Sequence, residues 1–314
     1  MAKYLVTGGA GFIGSNIVEA LVGRGEKVRV LDDLSTGEEE NLEPFMDRIE
    51  FRKGDIRSED DVKKALDGID FVIHQAALRN VAKSVENPVD TNDVNVRGTL
   101  NLLILAKEAG VKRLAYASSS SAYGDCKEFP QKETFTPNPI SPYGVSKLAA
   151  EYYCRMFSAT LGLETVSLRY FNVFGPRQNP ESKYSAVIPA FIARLVNDKP
   201  CVIDGEGKQS RDFTYVSNVV DANLAACEAP GVSGMVFNVA CGNDYSVVDV
   251  AEALKKILRK DIESVHGPRR QGDPEKTYAD ISALRKFLGV EPKVDFHQGL
   301  EKTVEWFTSK ERKA

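Results

Sequence analysis

The feature that most constrains the fold of this chain is a glycine-rich stretch close to its start. Residues 4–7 are apolar or β-favouring and predict a short buried strand, and apolar residues with helical spacing follow as far as Arg24. Between them, Gly9, Gly11 and Gly14 match the Gly-x-Gly-x-x-Gly pattern. Such glycines let backbone N–H groups approach a pyrophosphate, which the positive end of the helix dipole also attracts. The stretch therefore predicts a dinucleotide-binding turn between a strand and a helix.

An acidic residue after the next strand supports this interpretation. Residues 27–31 form a second predicted strand, and Asp32 follows it, 18 residues beyond Gly14. This is close to the offset expected of a carboxylate that binds a ribose. The alternative is a glycine turn with a structural role only, and an acid that caps the following loop.

The first half of the chain alternates predicted strands with predicted helices. Further strands are predicted at residues 49–53, 71–74, 113–117 and 164–169, and helices at residues 59–66, 92–109 and 142–161. This alternation is typical of an α/β fold with a doubly wound parallel sheet, the Rossmann arrangement. Ligands of such sheets lie outside the carboxyl ends of the strands, so chemistry is expected there.

The second half is less regular and predicts a smaller C-terminal α/β lobe that binds substrate. Helices are predicted at residues 185–197, 219–228, 247–258, 281–288 and 298–310, and strands at residues 201–203, 212–216 and 237–240. Prolines cluster where the regular alternation stops, so we place the dinucleotide-binding domain at residues 1–176 and the lobe at residues 177–314. Segments near residues 212–240 are expected to return to the first domain.

Composition argues against several other classes of protein. The 314 residues carry a net charge of −4 and show no basic stripe, so nucleic acid is not an expected partner. Three His, and five Cys without a Cys-x-x-Cys pair, offer little for a metal site, and single thiols are typical of a reducing compartment. Neither a signal peptide nor a membrane-spanning apolar stretch is visible, so the sequence predicts a cytoplasmic protein without a membrane partner.

A tyrosine and a lysine four residues apart are the sharpest catalytic candidates. Tyr143 and Lys147 lie in a predicted helix that begins at Ser141-Pro142, so they share one face. A nearby ammonium lowers the pKa of a tyrosine, which can then act as a general base or acid. Tyr123 and Lys127 have the same spacing, but glycine and proline follow and predict a loop. The alternative is a tyrosine at a helix start and a solvated lysine.

Four serines at residues 118–121 follow the predicted strand at residues 113–117. At the carboxyl end of a strand they can offer hydroxyls to a substrate oxygen, although a polar loop that satisfies backbone groups is the simpler interpretation. No Gly-x-Ser-x-Gly pattern surrounds them, which argues against a hydrolase nucleophile. His74 ends another predicted strand, where a single histidine is more often structural than catalytic.

These motifs together resemble one family across essentially the whole chain, the extended short-chain dehydrogenase/reductases, and within it the UDP-hexose 4-epimerases. The matching segments are residues 7–14, 31–37, 54–56, 74–77, 95–99, 118–124, 141–147, 168–177, 210–213 and 270–273. The resemblance implies an isomerase that interconverts UDP-glucose and UDP-galactose through a transient 4-keto sugar. It also implies tightly bound NAD that is regenerated in each turnover.

The resemblance assigns a role to each catalytic candidate. Tyr143 would remove the proton of the 4-hydroxyl while hydride passes from carbon 4 of the sugar to NAD. Lys147 would hold the nicotinamide ribose and lower the pKa of the tyrosine. Ser119 would hydrogen-bond the sugar oxygen, and Ser120 and Ser121 are alternatives for that role.

The resemblance also implies two sets of binding residues. The cofactor set comprises Gly8, Gly11, Phe12, Ile13, Gly14, Asp32, Asp33, Leu34, Ser35, Thr36, Gly37, Asp55, Ile56, Gln75, Ala76, Ala77, Arg79, Tyr143, Lys147 and Phe171. The substrate set comprises Ser119, Tyr143, Asn172, Ala186, Val187, Arg211, Arg270, Asp273 and Thr277. Asp32 would bind the adenosine ribose, and its charge disfavours a 2′-phosphate and hence NADP. Asp55 and Ile56 would flank adenine. Asn172, Arg211 and Arg270 would grip the UDP portion.

Two positions refine the expected substrate. Related dehydratases and decarboxylases carry an acid beside the catalytic hydroxyl, whereas Ser120 and Ser121 follow Ser119 here, so elimination lacks its acid. In the epimerases, the residue four positions beyond the Asp of the Arg-x-Gly-Asp segment gates the 2-position of the sugar, and a small residue goes with N-acetylated sugars. Thr277 holds this position, so UDP-N-acetylglucosamine and UDP-N-acetylgalactosamine are expected substrates too.

Several alternatives stay open on the sequence alone. One is another sugar-nucleotide enzyme of the family: a uronate 4-epimerase, a decarboxylase or a dehydratase. Another is a non-enzymatic dinucleotide sensor, which would need the glycine turn and Asp32 but neither Tyr143, Lys147 nor the serines. Members of the family commonly form homodimers through two long helices, here residues 92–109 and 142–161, so a homodimer is expected.

Overall fold

The computed structural model describes residues 1–179, 186–268 and 274–311, with side chains as far as residue 309. The strands are β1 Lys3–Thr7, β2 Lys27–Asp32, β3 Ile49–Lys53, β4 Phe71–His74, β5 Arg113–Ser119, β6 Glu164–Tyr170, β7 Val173–Phe174, β8 Val202–Asp204, β9 Ser210–Arg211, β10 Thr214–Tyr215, β11 Val236–Val239, β12 Tyr245–Ser246, β13 Val265–Gly267 and β14 Lys276–Thr277. The α-helices are α1 Phe12–Gly23, α2 Glu59–Leu66, α3 Val81–Glu86, α4 Pro88–Asn92, α5 Thr99–Glu108, α6 Pro142–Met156, α7 Val187–Val196, α8 Val216–Glu228, α9 Val247–Leu258 and α10 Phe296–Glu311.

A parallel sheet organises the described part of the chain, and it contains seven strands in the order β11-β6-β5-β4-β1-β2-β3. The order reverses between β1 and β4, and ligands of doubly wound sheets bind at the crevice where this happens. The predicted α/β class and the Rossmann arrangement are confirmed. Because all strands run the same way, their carboxyl ends lie along one edge.

Apolar side chains cover both faces of the sheet and fill a separate core in the C-terminal part. One cluster includes Val6, Ile17 and Phe237, and the cluster on the opposite face includes Leu5 and Leu102. Alternate residues of β1 thus point to opposite faces, as strand geometry requires. The third cluster lies among α7, α9 and α10, with aromatic rings packed edge to face on Phe174. β11 and α8 follow the C-terminal β8 in sequence but pack on the large sheet.

Several predicted elements differ from the structure in detail. The long helix predicted at 92–109 includes the π-helical turn Asp93–Gly98, and the one predicted at 142–161 ends in the π-helical turn Phe157–Leu161. The strand predicted at 212–216 was wrong in extent, because Asp212 turns its side chain inward to bind backbone N–H groups. Only Thr214–Tyr215 pairs there, and α8 begins at Val216 instead of Val219.

A short helix was missed, and it lies next to the catalytic candidates. The helix α3 begins after Asn80, whose side chain accepts from the backbone N–H of Lys83 at 2.9 Å. An asparagine before a short polar-apolar alternation is a weak capping signal, and it was not recognised. Elsewhere Ser58 caps α2 and accepts from the N–H of Asp61. Among the described residues, no helix combines the length and apolar character needed to cross a membrane.

Candidate active site

The glycine-rich turn packs tightly between β1 and α1. A Cβ atom on Gly14 would lie 2.1 Å from the carbonyl oxygen of Gly8. A Cβ atom on Gly8, whose φ is +69°, would lie 2.6 Å from the backbone nitrogen of Ala76. At Gly11 the nearest atom would be 3.2 Å away, and residues 11–13 are partly exposed. The N-terminus of α1 therefore offers backbone N–H groups at the surface, as pyrophosphate binding requires.

Asp32 is buried at the end of β2, and its carboxylate is tied to this turn. The carboxylate accepts from the backbone N–H of Ala10 and from that of Leu34, both at 2.9 Å. Burial raises the pKa of Asp32, and the two N–H groups oppose that shift. A Cβ atom on Gly37 would lie 3.0 Å from both carboxylate oxygens, so the loop after β2 folds closely over them. The exposed residues of that loop are Asp33, Ser35 and Thr36.

Asp55 and Ile56 follow β3 and differ in what they can offer a ligand. The Asp55 carboxylate accepts from Nη2 of Arg57 at 2.6 Å, and this hydrogen bond holds the pKa of Asp55 below its usual value. The Ile56 side chain is buried against Gly98, where a Cβ atom would lie 2.7 Å from its Cδ1 atom. Ile56 can therefore contact an adenine only through its backbone. Asp55 can contact it only through its carboxylate, which Arg57 already binds.

The segment after β4 lies across the glycine turn. Ala76 and Ala77 are half-buried, and Arg79 is exposed. The Gln75 side chain donates from Nε2 to the hydroxyl of Tyr170 at 2.9 Å and to Oδ1 of Asn223 at 3.1 Å. These partners hold the amide nitrogen of Gln75, which leaves its oxygen as the group that a cofactor can approach.

His74 is buried between β1 and the helical turn before α5, and it is structural. Thr99 donates to the carbonyl of Asn95 at 2.6 Å, so its hydroxyl oxygen must accept from Nε2 of His74 at 2.9 Å. Nδ1 of His74 then carries no proton and accepts from Thr7 at 2.6 Å. Burial lowers the pKa of His74 to about 3, so this arrangement persists at neutral pH.

Tyr143 lies in the first turn of α6, where Ser141 caps the helix by accepting from the N–H of Gly144. Burial raises the pKa of the Tyr143 phenol, while a hydrogen bond with Ser119 and the charge of Arg79 lower it. The direction differs from the expectation that Lys147 depresses this pKa. The reason is that burial outweighs the favourable neighbours, and Ser119 and Arg79 are the groups that counteract it.

Lys147 lies one turn further along α6 and is 4% exposed. Its ammonium is 5.0 Å from the centroid of the Tyr116 ring, and among the described residues it makes no hydrogen bond. Burial lowers the pKa of Lys147 to about 7. A buried ammonium without a hydrogen-bond acceptor has room for one, such as the hydroxyls of a ribose.

Among the three serines, Ser119 is the one that meets Tyr143. It ends β5, is 8% exposed, and its hydroxyl oxygen accepts from the N–H of Ser121 at 3.1 Å. This hydrogen bond starts the 3-10 turn Ser120–Tyr123, which packs on α6 with the Ser121 carbonyl close to Gly144. Of the three serines, only Ser119 has a hydroxyl that shifts the pKa of Tyr143. The structure therefore favours Ser119 over Ser120 and Ser121 as the hydroxyl nearest to the phenol.

The structure brings three of the predicted substrate residues together, Asn172, Arg211 and Thr277. The Asn172 side chain donates to Oγ1 of Thr277 at 3.2 Å, and its backbone has a φ of +21°. Arg211 is half-buried in β9, which pairs with β14 and so brings it beside Thr277. Phe171 is fully buried and lies behind the site surface. Ala186 and Val187 begin α7, while Arg270 and Asp273 lie outside the described residues.

A buried ion pair next to the catalytic candidates was not predicted from the sequence. Glu151 on α6 accepts from Nη2 of Arg169 on β6 at 2.7 Å and from the hydroxyl of Ser118 at 2.6 Å. Both charged residues are 2% exposed. Arginine within a strand of the predicted central sheet was the available signal, because a charge buried there needs a partner. The pair joins α6 to the strand end that carries Ser119.

The residues present fit a dinucleotide. The Asp32 carboxylate ends β2, the glycine turn follows β1, and the Lys147 ammonium on α6 lies beside β5. Across the sheet they follow the order in which an adenosine ribose, a pyrophosphate and a nicotinamide ribose are joined in a dinucleotide. Within the described ranges, no group of three or more His, Cys, Asp or Glu side chains could hold a metal ion.

Comparison with known proteins agrees with this geometry. The family model described as "NAD dependent epimerase/dehydratase family" matches residues 4–240. The chain is 38% identical over 310 residues to a putative UDP-glucose 4-epimerase of Methanocaldococcus jannaschii, with 98% of this chain and 99% of that protein covered.

Solved structures are similar over the same length. A UDP-N-acetylglucosamine 4-epimerase from Methanobrevibacter ruminantium M1, in complex with UDP-N-acetylmuramic acid, has a TM-score of 0.94 and 40% identity, covering 98% of this chain and 99% of that one. A UDP-glucose 4-epimerase from Thermotoga maritima, with UDP-glucose, has a TM-score of 0.94 and 39% identity with the same coverage.

The wider set of similar proteins includes other activities and the cofactor. A UDP-glucuronic acid 4-epimerase and a dTDP-glucose 4,6-dehydratase, each in a complex with NAD, are similar in structure at 32% and 30% identity. NAD is the cofactor of the family. The chain therefore belongs to the NAD-dependent epimerase/dehydratase family of extended short-chain dehydrogenase/reductases, and it is an isomerase of the epimerase type.

Proposed function

We propose that this protein is a UDP-hexose 4-epimerase that interconverts UDP-glucose with UDP-galactose and UDP-N-acetylglucosamine with UDP-N-acetylgalactosamine. The observation that carries the proposal is the approach of the Ser119 hydroxyl, at the carboxyl end of β5, to the Tyr143 phenol, whose pKa it lowers, beside a glycine turn that fits a dinucleotide. When bound, NAD would supply the acceptor for the hydride of carbon 4 and the donor for its return to the opposite face of the sugar.

Tyr143 and Ser119 move and hold the proton of the 4-hydroxyl. Tyr143 acts as the base when the hydroxyl is oxidised and as the acid when the ketone is reduced. Ser119 donates to the sugar oxygen and keeps the phenol in place. The buried setting makes this exchange independent of solvent protons during a turnover.

Lys147 prepares Tyr143 for this role. Its ammonium has no hydrogen-bond acceptor among the described residues, so it would donate to a ribose hydroxyl of the bound cofactor. A ribose that holds the ammonium in its charged form places a positive charge near the phenol and favours the phenolate. Lys147 therefore lowers the pKa of Tyr143 once the cofactor is bound.

Asp32 selects the cofactor, and a second set of residues binds the sugar nucleotide. The buried carboxylate repels a 2′-phosphate and accepts from ribose hydroxyls, which favours NAD. Arg211 and Asn172 bind the UDP portion together with Arg270. Thr277 presents a small side chain to the sugar, leaving space for an N-acetyl group. Serines 120 and 121 offer no carboxylate, which argues against dehydration and decarboxylation.

Purified protein should be incubated separately with UDP-glucose, UDP-N-acetylglucosamine and UDP-glucuronate, without added NAD, and the products separated by anion exchange and identified by NMR. Formation of the carbon-4 epimers of the first two supports the proposal. Conversion of UDP-glucuronate alone would assign a uronate epimerase instead. A Tyr143→Phe variant should lose turnover by a factor of about 100 or more and keep its NAD. Equal turnover in this variant would exclude the proposed base.

The protein is also proposed to form a homodimer through the expected segments, residues 92–109 and 142–161, with α3 and α4 beside them, since both pack on α6. Val85 and Val89 are 63% and 77% exposed, and Tyr152 on α6 is 51% exposed. Apolar side chains so exposed on adjacent helices are typical of an interface between copies. Light scattering should give a dimer for the native protein and a monomer for Val89→Glu. The matched control is Val202→Glu in β8, 40% exposed, which should stay dimeric.

A further inference from the structure

Tyr123 was set aside as a loop residue, yet it is 2% exposed at the end of the turn that follows Ser119. Its hydroxyl lies 2.7 Å from Oδ1 of Asn238 on β11. The Arg169 guanidinium is 4.7 Å from the centroid of its ring, on the side of the buried Glu151 ion pair. The ring therefore lies beside Arg169 of β6, and its hydroxyl extends across β6 to Asn238 on β11.

Asn238 is fully buried, and every hydrogen-bonding group of its side chain is used. Nδ2 donates to the carbonyl of Gln131 at 2.9 Å and to the carbonyl of Asp280 at 3.1 Å. Two carbonyls can be satisfied only by the NH₂ group, so Oδ1 must face Tyr123 and the phenol must donate. The backbone N–H of Asn238 donates in addition to Glu133 at 2.8 Å.

The two carbonyls belong to segments that pair with each other. The N–H of Gln131 donates to the carbonyl of Tyr278 at 2.7 Å, and the N–H of Asp280 donates back to the carbonyl of Gln131 at 2.9 Å. Thr277 directly precedes this pairing and meets Asn172 on its other side. The position of Thr277 is therefore set from two sides, by its pairing with Arg211 in β9 and by the segments that Asn238 holds.

We infer that Tyr123 and Asn238 are positioning residues for sugar specificity. The proposed sugar pocket has one wall formed by Thr277 and another formed by Ser119, and the two positioning residues fix these walls relative to each other. Tyr123 is attached to Ser119 through the short turn, and Asn238 is attached to Thr277 through Asp280. The hydrogen bond between them sets the width of the pocket where the substituent on carbon 2 of the sugar lies. The inference rests on the proposed function, since it assumes that a UDP-sugar binds between these walls.

The decisive variant is Tyr123→Phe, which removes one hydroxyl and keeps the ring between Arg169 and the core. Its matched control is Tyr4→Phe, which removes the hydroxyl of a 1% exposed tyrosine at the opposite edge of the sheet, 3.3 Å from Glu228. Each loses one tyrosine hydrogen bond, but only the first connects the Ser119 segment with the segment that carries Thr277. Asn238→Leu removes the whole connection and serves as a stronger second variant where it folds.

Calorimetric titration of the NAD-loaded proteins with UDP, UDP-glucose and UDP-N-acetylglucosamine tests the inference. We expect Tyr123→Phe to weaken binding of UDP-N-acetylglucosamine about fivefold, the value of one hydrogen bond, with UDP and UDP-glucose changed less than about twofold. Tyr4→Phe should leave all three unchanged. Asn238→Leu should act in the same direction and more strongly.

Two results would overturn the inference. One is an unchanged ratio of the two sugar affinities in folded Tyr123→Phe. The other is a loss of the same size for UDP and for both sugar nucleotides, which would indicate general loosening. Failure of the proposed function looks different: native protein would then bind UDP but neither sugar nucleotide, before any substitution is made.

Discussion

The ammonium of Lys147 lies 5.0 Å from the centroid of the Tyr116 ring, and the hydroxyl of Tyr116 donates to the backbone carbonyl of Lys147 at 3.3 Å. One buried residue on β5 thus contacts both the side chain and the backbone of the lysine. The ring face stabilises the charged form of a side chain whose pKa burial lowers to about 7.

Replacing the ring should therefore change the pH dependence of the enzyme. Loss of the cation–π contact lowers the pKa of Lys147 further, so the alkaline limb of kcat/KM should move to lower pH in Tyr116→Leu, by up to about one unit. Tyr116→Phe keeps the ring and should keep the limb of the native enzyme. Identical limbs in all three proteins would show that the ring does not support the charge.

The glycine turn offers a test with a control in the same helix. A Cβ atom on Gly14 would meet the carbonyl of Gly8 at 2.1 Å, whereas one on Gly23 would meet nothing within 4 Å. Gly14→Ala should displace the turn and release NAD on gel filtration. Gly23→Ala should keep NAD and raise the free energy of unfolding by about 0.5–1 kcal/mol, because alanine favours helix. Retention of NAD by both variants would contradict the proposed cofactor position.

The Glu151–Arg169 pair should be important for stability, because both residues are buried. Glu151→Gln leaves the Arg169 charge without its partner and should lower the free energy of unfolding by about 3–5 kcal/mol. The control is Glu291→Gln, whose exposed carboxylate pairs with Arg285 at 2.6 Å and should contribute little. Urea unfolding measures both. Equal, small losses would mean that Arg169 finds another partner.

Asp212 should make stability depend on pH. Its carboxylate accepts from the N–H groups of Cys241 and Gly242, both at 2.9 Å, yet burial raises its pKa from the usual value to about 7. A raised folded-state pKa favours the protonated form, so its contribution is complete below pH 3.8 and is lost as the pH rises towards 7.

The Asp212→Asn variant removes this titration. Between pH 4 and pH 7 the native protein should lose up to about 1.4 kcal/mol of stability per pH unit relative to the variant. Urea unfolding of both proteins at pH 5 and pH 7 gives the difference. A difference that does not change with pH would place the pKa of Asp212 outside this window.

The features predictable from the sequence are those coded by neighbouring residues. The strand, turn and helix around Gly14, the offset of Asp32, and the spacing of Tyr143 and Lys147 are local patterns, and the structure places each at the carboxyl edge of the sheet. The Rossmann arrangement follows from the alternation of strands and helices. The net rise of the Tyr143 pKa could not be predicted, since burial, its largest cause, cannot be read from spacing.

The features that could not be predicted depend on contacts between distant segments. Glu151 and Arg169 lie on different elements, and so do Tyr123 and Asn238, whose partner choice only the folded chain decides. The strand predicted at residues 212–216 is shorter in the structure because the Asp212 side chain binds backbone N–H groups of Cys241 and Gly242, which are also distant in sequence. Each of these polar side chains is buried, and burial is what makes a distant partner necessary.

Epimerisation by this route requires that carbon 4 of the sugar gives up a hydride to NAD and takes the same hydride back. UDP-glucose with deuterium at carbon 4 should be incubated with the purified protein in ordinary water, and the products analysed by NMR and mass spectrometry. The account predicts UDP-galactose that keeps the deuterium at carbon 4, with no net NADH. Epimerisation with loss of the label to solvent, or no epimerisation of any UDP-hexose, would contradict it.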